Sequence, residues 1–307
     1  MPLYLGIDAG GTKTDCAISN GAELLGQATG ESCKAARVGE EVASRNLQHV
    51  IVQACEAAKV KPFEVHQVCI GIAGASVPGT EAWAQNVIHE LITGKITVVG
   101  DHVIAHRAAF GMMPGLLVIA GTGSIAYGRN QKGETGRAGG WGPLVSDEGS
   151  AFWIGKEAVA AALHAWDKGR NNGLLSAISA SWNVSAPEEV IRIANFEARL
   201  KFPGLASVIA TAAEQGDPVA QNVLERAGTE LAGLAGAVIG RLWPLDGAAR
   251  VAMAGGVLQG SAITRGTFHK ALKTQYPTAT VSFAYVRPVM GALEIAAERV
   301  VGQFRRN

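Results

Sequence analysis

Three turns that contain glycine follow apolar segments of the sequence, and each carries groups that can surround a phosphate. They read Asp8-Ala9-Gly10-Gly11-Thr12-Lys13, Gly121-Thr122-Gly123-Ser124 and Ala254-Gly255-Gly256. Glycine permits positive φ and lets backbone N–H groups approach a ligand closely. One such turn more often only closes a hairpin, and the first lacks the spacing of a Walker loop. Three of them in one chain nevertheless favour a nucleotide site.

The side chains of the first turn suggest how it would hold a nucleotide. Asp8 comes at the end of a short apolar segment, where a carboxylate is suited to holding hydrated magnesium. Thr12 and Lys13 follow and are suited to contacting phosphate oxygens. The turn therefore predicts a site for phosphate and a magnesium ion held through water.

Asp101 is a candidate for proton transfer. It follows the apolar segment 96–99 and precedes a helical pattern, so it either caps the N-terminus of that helix or lies at a strand end facing a substrate. A carboxylate in the second position can accept the proton of an attacking hydroxyl group. His102 and His106 have helical spacing but no acidic or cysteine partner, so we expect them on the helix surface.

Trp141 stands in the run Gly139-Gly140-Trp141-Gly142, where no regular element is expected. It could be a buried anchor, but the glycine-rich setting favours an exposed aromatic platform. Binding pockets commonly use aromatic side chains as apolar walls. An indole in this position is suited to packing against the C–H face of a sugar ring.

Composition narrows the kind of partner. The 307 residues carry 27 Lys and Arg against 26 Asp and Glu, a net charge of +1. This balance provides no large basic field for nucleic acid or an anionic membrane, so a small molecule is the expected ligand. The length suggests about two domains of roughly 150 residues.

The sequence also bears on location. No basic stretch leads into a long apolar segment at the start, and the apolar segment 231–242 is too short to cross a bilayer. Four cysteines, all before residue 70, lack metal-type spacing. We expect reduced thiols, a cytoplasmic location and no membrane or nucleic-acid partner.

Apolar periodicity predicts alternating strands and helices, which is typical of an α/β protein. The predicted strands cover 3–7, 16–18, 65–73, 96–99, 116–120, 125–127, 251–254 and 280–284. The predicted helices cover 40–59, 81–91, 102–112, 159–165, 187–200, 218–242 and 289–304. The order of strand, glycine turn, strand and polar turn occurs near both residue 3 and residue 116, a weak sign of internal duplication.

The three glycine turns resemble the two phosphate segments and the adenosine segment of the actin-like ATPase superfamily. The segments 139–142 and 146–151, which read GGWG and SDEGSA, are similar more narrowly to the N-acetylglucosamine kinase branch of the BadF/BadG/BcrA/BcrD-type ATPase family. The resemblance covers nearly the whole chain. It implies an α/β fold of two ribonuclease-H-like lobes, 1–114 completed by a C-terminal helix 289–307, and 115–288, with an interdomain cleft for nucleotide and sugar.

The same resemblance implies an activity and the residues behind it. The activity is ATP-dependent phosphorylation of an amino sugar, foremost N-acetylglucosamine to its 6-phosphate, by a magnesium-dependent homodimer. Asp101 corresponds to the catalytic aspartate and also contacts the sugar. The other implied sugar contacts are Gly140, Trp141, Gly142 and Asp147, and Glu148 would position Asp147 or magnesium. The implied nucleotide contacts are Asp8, Gly10, Gly11, Thr12, Lys13, Thr122, Gly123, Ser124, Gly216, Gly255 and Gly256.

Two further expectations depend on how individual residues compare with the family pattern. Gly123→Val is expected to weaken ATP binding far more than sugar binding. Similar kinases carry a sugar-bonding asparagine in the loop after the first hairpin, but this chain reads Gly30-Glu31-Ser32-Cys33-Lys34. Lys34 facing the pocket would repel protonated glucosamine, Glu31 would do the opposite, and both could instead face solvent.

The alternatives to an N-acetylglucosamine kinase are a glucosamine kinase and, in the same family, an ATPase activator of a reductase. Such activators place cluster-binding cysteines late in the chain, unlike the four cysteines here. A sugar-sensing regulator is expected to carry a DNA-binding extension, and none precedes Leu3. The kinase is therefore the preferred interpretation.

Overall fold

A computed structural model of the chain describes residues 1–75, 77–169, 173–197, 201–244 and 247–304. Contacts within this structure separate the chain into two units. One contains residues 1–113 together with the segment that starts at 285, and the other contains residues 114–284. Each unit is built around its own β-sheet.

The described strands form two sheets of five strands each. Their bounds are β1 Leu3–Ala9, β2 Lys13–Ser19, β3 Leu24–Glu31, β4 Val65–Ile72, β5 Lys95–Gly100, β6 Gly115–Ala120, β7 Ser124–Arg129, β8 Thr135–Gly139, β9 Arg250–Ala254 and β10 Thr280–Phe283. The order is β3-β2-β1-β4-β5 in the first unit and β8-β7-β6-β9-β10 in the second, which is the same arrangement repeated. In both sheets the first three strands are antiparallel and the last two are parallel to the first.

The described α-helices lie between and after the strands. Their bounds are α1 Ala35–Val38, α2 Glu40–Ala58, α3 Thr80–His89, α4 Asp101–Phe110, α5 Ala151–Asp167, α6 Gly173–Trp182, α7 Pro187–Phe196, α8 Ala206–Glu214, α9 Pro218–Leu242, α10 Gly256–Gly260, α11 Ala262–Gln275 and α12 Pro288–Phe304. Short 3₁₀ helices cover Pro62–Glu64 and Phe202–Leu205.

The first sheet is covered on both faces. Helix α2 buries an apolar stripe that includes Leu47, Val50 and Ile51, and the side chains of Leu5 and Ile7 belong to the same core. Helix α12 covers the other face, where Leu293 lies in a separate cluster. Because successive strand residues alternate between faces, Asp8 lies on the side of α12. The sequence period alone predicts both helices, since each has one continuous apolar face.

The second sheet packs against α9, whose 25 residues include twelve buried ones. Asp217 starts this helix, because its carboxylate accepts hydrogen bonds from the N–H groups of Val219 and Ala220, and Pro218 occupies the first helical position. The predicted bounds of this helix, 218–242, are confirmed. Helix α11 packs on α9, where Gly228 comes close to the backbone of Thr264.

This pair of mixed sheets with the same strand order is the two-lobed ribonuclease-H-like fold, so the predicted fold class is confirmed. Strands β3 and β8 and helices α1, α6, α8, α10 and α11 are absent from the sequence prediction. The predicted helix 187–200 ends at 196, and its residues 198–200 lie outside the described residues, as do 305–307 of the predicted C-terminal segment.

The structure also bears on the predictions about the cysteines and about membrane-spanning segments. All four cysteines are buried and none forms a disulfide bond. Within the described residues, no helix combines the length and the apolar character that a membrane span requires.

Candidate active site

The topology of the first sheet brings Asp8 and Asp101 to the same edge. Asp8 lies at the carboxyl end of β1, beside Gly71 of β4, and Gly71 in turn pairs with Val99 of β5. Asp101 starts α4 directly after β5. Strands β1, β4 and β5 are parallel, so their carboxyl ends meet at one edge, and the two carboxylates are close enough to interact electrostatically.

The carboxyl group of Asp8 is strongly perturbed. Its pKa is raised from the ordinary value of 3.8 to about 7. Burial is the main cause, because it removes water from the charged form, and the nearby negative charges of Asp101 and Asp15 add to it, while Lys13 acts in the opposite direction. A bound cation beside Asp8 would therefore stabilise the ionised form of its carboxyl group.

A polar cavity of about 510 Å³ opens on the first unit beside Asp8. Its lining includes Asp8, Lys13, Asp15, Gln27, Thr29 and Arg287. The ammonium group of Lys13 lies 2.7 Å from a carboxylate oxygen of Asp15, whose other oxygen accepts a hydrogen bond from Thr29 at 2.5 Å. The structure thus pairs Lys13 with a carboxylate, which the sequence prediction of a phosphate-contacting lysine did not include.

Asp15 and Arg287 were both missed from the sequence. Residues 13 and 15 share one face of a strand, so a period of two could have revealed the pair of Lys13 and Asp15. No local pattern could have indicated the role of Arg287, because its hydrogen-bond partner Gln27 is 260 positions away in the sequence.

The tip of the first hairpin is held by the loop that follows β3. The carbonyl oxygen of Gly11 accepts a hydrogen bond from the Ser32 hydroxyl at 3.2 Å and one from the Arg37 guanidinium at 3.0 Å. Arg37 was not predicted to take part. Glu31 at the end of β3 and Lys34 in this loop are both exposed. Gly10, Gly11 and Thr12 form the turn between β1 and β2, as the sequence predicts.

Asp101 is the first helical residue of α4, and Gly100 holds the capping position without a side-chain bond. The alternative of Asp101 as the N-cap residue is therefore wrong. Its carboxylate accepts a hydrogen bond from the N–H of His102 at 2.9 Å and keeps 44% of its surface exposed, so a substrate hydroxyl has access to it. His106 is 4% exposed and packs on Phe110, so the expectation that it lies on the helix surface is wrong.

In the second unit, the turn 121–124 is bonded to the segment that precedes α5. The hydroxyl of Ser124 donates to the carbonyl of Glu148 at 2.7 Å. The N–H groups of Ala151 and Phe152, in the first turn of α5, donate to the carbonyls of Gly121 and Thr122. These helix N–H groups, and the Ser124 proton, are therefore used within the protein, and a phosphate would have to use other donors of this turn.

Asp147 lies against the same turn. It is 6% exposed and has a left-handed backbone, with φ of +64°. A Cβ atom at Gly123 would lie 2.8 Å from a carboxylate oxygen of Asp147. The structure thus joins a candidate sugar-binding residue to a candidate nucleotide turn. The expectation that Gly123→Val acts mainly on ATP is revised, because the new side chain would meet Asp147 first.

Trp141 is an exposed platform rather than a buried anchor. Its side chain is 67% exposed, and the Arg137 guanidinium lies 3.9 Å from the ring centroid, a cation–π distance. Gly140 and Gly142 flank it with φ of +71° and +101°, values that other residues rarely adopt. The contact of Arg137 with Trp141 was not predicted. Arg137 lies in the strand before the glycines, and the alternation of residues along that strand could have suggested it.

The third glycine turn adjoins the second. Gly255 has φ of +99°, and a Cβ atom there would lie 2.4 Å from the carbonyl oxygen of Ala120. Strands β6 and β9 are parallel neighbours, so the turns that follow them share an edge. Gly256 begins α10, beside this contact. Gly216 joins α8 to α9 with φ of +93°, which its place between two helices explains, and its contact with a nucleotide stays a prediction.

Two equivalent sheets, each with glycine turns at the carboxyl edge of its parallel strands, define the fold class of actin-like ATPases and sugar kinases. The chain belongs to the BadF/BadG/BcrA/BcrD ATPase family, whose sequence profile matches residues 5–296.

Named relatives support this membership over the full length. The chain is 33% identical over 302 residues to an N-acetylmuramic acid/N-acetylglucosamine kinase of Clostridium acetobutylicum, covering 96% of this chain and 98% of that one. It is 28% identical to an N-acetyl-D-glucosamine kinase of Dictyostelium discoideum, covering 96% and 97%. A solved structure from Chromobacterium violaceum, a candidate N-acetylglucosamine kinase, has a TM-score of 0.78 at 23% identity over 95% of this chain and 98% of that one.

Proposed function

We propose that this protein transfers the γ-phosphoryl group of ATP to an amino sugar, foremost N-acetylglucosamine, to form its 6-phosphate. The observation that carries the proposal is the position of Asp101, an accessible carboxylate at the same sheet edge as the glycine hairpin and Asp8. Membership of an ATPase family and the activities of the full-length relatives support the same conclusion.

In this proposal Asp101 acts as the general base. Its carboxylate accepts the proton of the sugar hydroxyl as the hydroxyl oxygen attacks the γ-phosphorus, and the bond to the bridging oxygen of ADP breaks. Asp147 accepts hydrogen bonds from other sugar hydroxyls, and Trp141 packs on the ring. Gly140 and Gly142 hold the tryptophan in its loop.

The nucleotide is assigned to the three glycine turns. Gly10, Gly11 and Thr12 of the first unit and Thr122 and Gly123 of the second contact phosphate, and Ser124 shapes the second turn through its bond to Glu148. Gly255 and Gly256 take the adenosine, with Gly216 beside the base. Backbone N–H groups are the expected donors, since glycine permits their close approach.

Magnesium fits the surroundings of Asp8, because the buried carboxyl group lies among negative neighbours. Among the residues that the structure describes, no three His, Cys, Asp or Glu side chains are grouped for direct coordination. We therefore assign magnesium to Asp8 through water, as is common for this ion. When bound, magnesium would neutralise charge on the transferring phosphate.

A coupled assay of ADP release tests the proposal. Glucose, glucosamine, N-acetylglucosamine and N-acetylmannosamine would be compared at fixed ATP, with and without magnesium. We expect sugar-dependent ADP release that requires the metal, and a phosphorylated 6-hydroxyl by NMR of the product. ATP hydrolysis that no sugar changes would refute a sugar kinase and leave an ATPase of another role.

Lys34 bears on the choice of amino sugar. We predict that kcat/KM for N-acetylglucosamine exceeds that for glucosamine at least about tenfold, a difference of about 1.4 kcal/mol, because the segment of Trp141 and Asp147 matches the N-acetylglucosamine branch. If the exposed Lys34 lines the pocket, its ammonium group also repels the protonated amine of glucosamine. Lys34→Glu should narrow or reverse this ratio, whereas Lys270→Glu, an exposed change in α11, should leave it unchanged. A wild-type preference for glucosamine would contradict the prediction, and a Lys34→Glu ratio equal to that of the control would show that Lys34 does not line the pocket.

We also propose a homodimer in the cytoplasm, which the resemblance to similar sugar kinases favours. Light scattering of the purified protein tests the dimer, and fractionation of cells that express the full chain tests the location. A monomer at all concentrations used in the assay would refute the first part.

A further inference from the structure

Two cations line the polar cavity beside Asp8, and their surroundings differ. Lys13 is paired with Asp15 at 2.7 Å, and Asp15 is also bonded to Thr29. The ammonium group of Lys13 is thus already paired with a carboxylate, although the side chain is 62% exposed. Arg287 is bonded to a neutral amide, with its Nη2 2.8 Å from Oε1 of Gln27. Within the described part of the chain, no carboxylate lies within ion-pair distance of Arg287.

Arg287 is also held in place. It precedes Pro288, which restricts its backbone to extended conformations, and its carbonyl accepts the N–H of Met290 in the first turn of α12. The bond to Gln27 of β3, which joins two exposed side chains, orients one side of the guanidinium group. The remaining N–H donors belong to a planar fork, which suits two oxygens of a phosphate better than a single ammonium group does.

We propose that Arg287, and not Lys13, is the cation of the first unit that binds the nucleotide phosphates. This inference rests on the proposed function, which brings ATP to the Asp8 hairpin. A nucleotide that enters the cavity carries several negative charges and must find an uncompensated cation, and Arg287 is the one that lines it without a carboxylate partner. Lys13 would have to give up its ion pair with Asp15 to do the same.

Calorimetry of Mg·ATP binding to the full chain, without sugar, tests this assignment. Arg287→Ala should weaken binding at least about tenfold, whereas Lys13→Met should weaken it less than about threefold. Arg45→Ala, an exposed change on α2, serves as the matched control and should have no effect. Arg287→Lys should restore part of the loss, because it keeps the charge and loses the fork.

Steady-state kinetics separate binding from a purely structural role. In the Arg287 variants, the KM for ATP should rise while the KM for the sugar stays within about twofold and the melting temperature is kept. If Arg287→Ala does not fold, Arg287→Gln, which retains a donor for Gln27, carries the same comparison.

Two results would overturn this inference and leave the proposed function intact. One is an Arg287→Ala protein that binds ATP as tightly as Arg45→Ala, and the other is a larger loss in Lys13→Met than in Arg287→Ala. A wild-type protein that does not bind ATP would instead refute the proposed function together with this inference, so the two failures are distinguishable.

Discussion

Asp101 occupies a position that suits a base and not a cap. It lies one residue inside α4, and its carboxylate is accessible, with one oxygen bonded to the N–H of His102. Asp101→Asn keeps the size of the side chain and the helix, but removes the proton acceptor. We expect kcat to fall about 10²-fold or more, with sugar affinity changed little.

Steady-state kinetics and sugar binding by calorimetry check this prediction. Glu41→Gln makes the same chemical change in the first turn of α2 and should leave kcat unchanged. An Asp101→Asn enzyme with near-normal kcat would remove Asp101 from the mechanism. Equal losses of kcat and sugar affinity would instead make it a binding residue.

The titration of Asp8 makes the free energy of unfolding depend on pH. Its folded-state pKa of about 7 is above the ordinary 3.8, so between these values the folded protein binds its proton more tightly than the unfolded chain does. The free energy of unfolding therefore falls as pH rises from about 4 to 7, by up to a few kcal/mol, and the stabilising contribution is fully lost above pH 7.

Asp8→Asn removes this titration. Without nucleotide and magnesium, we expect the variant to melt at a higher temperature than the wild type at pH 8 and at nearly the same temperature at pH 4.5. Thermal unfolding at four pH values measures the difference. Asp167→Asn, an exposed change at the end of α5, should show no pH-dependent difference. A variant that is less stable than the wild type at pH 8 would show that the ionised carboxylate is stabilised in the fold.

At the scale of elements, the second glycine turn acts as one part with the loop before α5 and the first turn of that helix. Three hydrogen bonds join them, and Asp147 fills the space over Gly123. Glycine is needed at 123 because a Cβ atom would meet the Asp147 carboxylate at 2.8 Å, and the left-handed backbone of Asp147 limits how far it can move. The two proposed binding functions are thus coupled through a single contact.

Gly123→Ala tests this coupling. We expect it to reduce the affinity for both ATP and sugar and to lower the free energy of unfolding by about 1–3 kcal/mol. In an Asp147→Gly background the same substitution should cost much less, because the clash is gone. Gly121→Ala, where a Cβ atom meets nothing within 4 Å, is the control. Urea unfolding of the four proteins measures the cycle, and additive effects would refute the contact.

At the scale of the whole molecule, the chain leaves the first unit, builds the second and returns through α12. This helix packs so closely on β1 that a Cβ atom at Gly6 would lie 2.6 Å from the backbone nitrogen of Leu293 and 2.6 Å from the carbonyl oxygen of Val289. Both are backbone atoms, which cannot move aside without shifting the helix. The first unit thus depends on a segment that the chain supplies only after it has built the second unit.

Gly6→Ala should therefore destabilise the first unit by about 2–4 kcal/mol. Gly266→Ala in α11, where a Cβ atom meets nothing within 4 Å, should be neutral or slightly stabilising. Urea unfolding measures the free energies, and limited proteolysis shows which unit opens first. Equal stability of the two variants would mean that α12 adjusts without cost.

The sequence predicted the features that depend on neighbouring residues. The glycine hairpin after β1, helix α2 and helix α9 each follow from a local period, a turn residue or a cap. The fold class implied by the glycine turns and the family implied by segments 139–142 and 146–151 are confirmed. Strand β3 was missed because three of its eight residues are polar and two are glycines. Helix α11 was missed because only Thr264, Phe268 and Leu272 are buried along its 14 residues.

The individual site residues inferred from the sequence stay predictions, and only the tertiary structure decided what surrounds them. The alternation of residues in β2 could have suggested the pair of Lys13 and Asp15, but their shared cavity with Arg287 required a segment from the far end of the chain. The contact of Asp147 with Gly123 likewise joins residues 24 positions apart (147 − 123). Charge pairing, burial and the pKa of Asp8 depend on atoms that approach only when sheets and helices pack, so a one-dimensional pattern does not contain them.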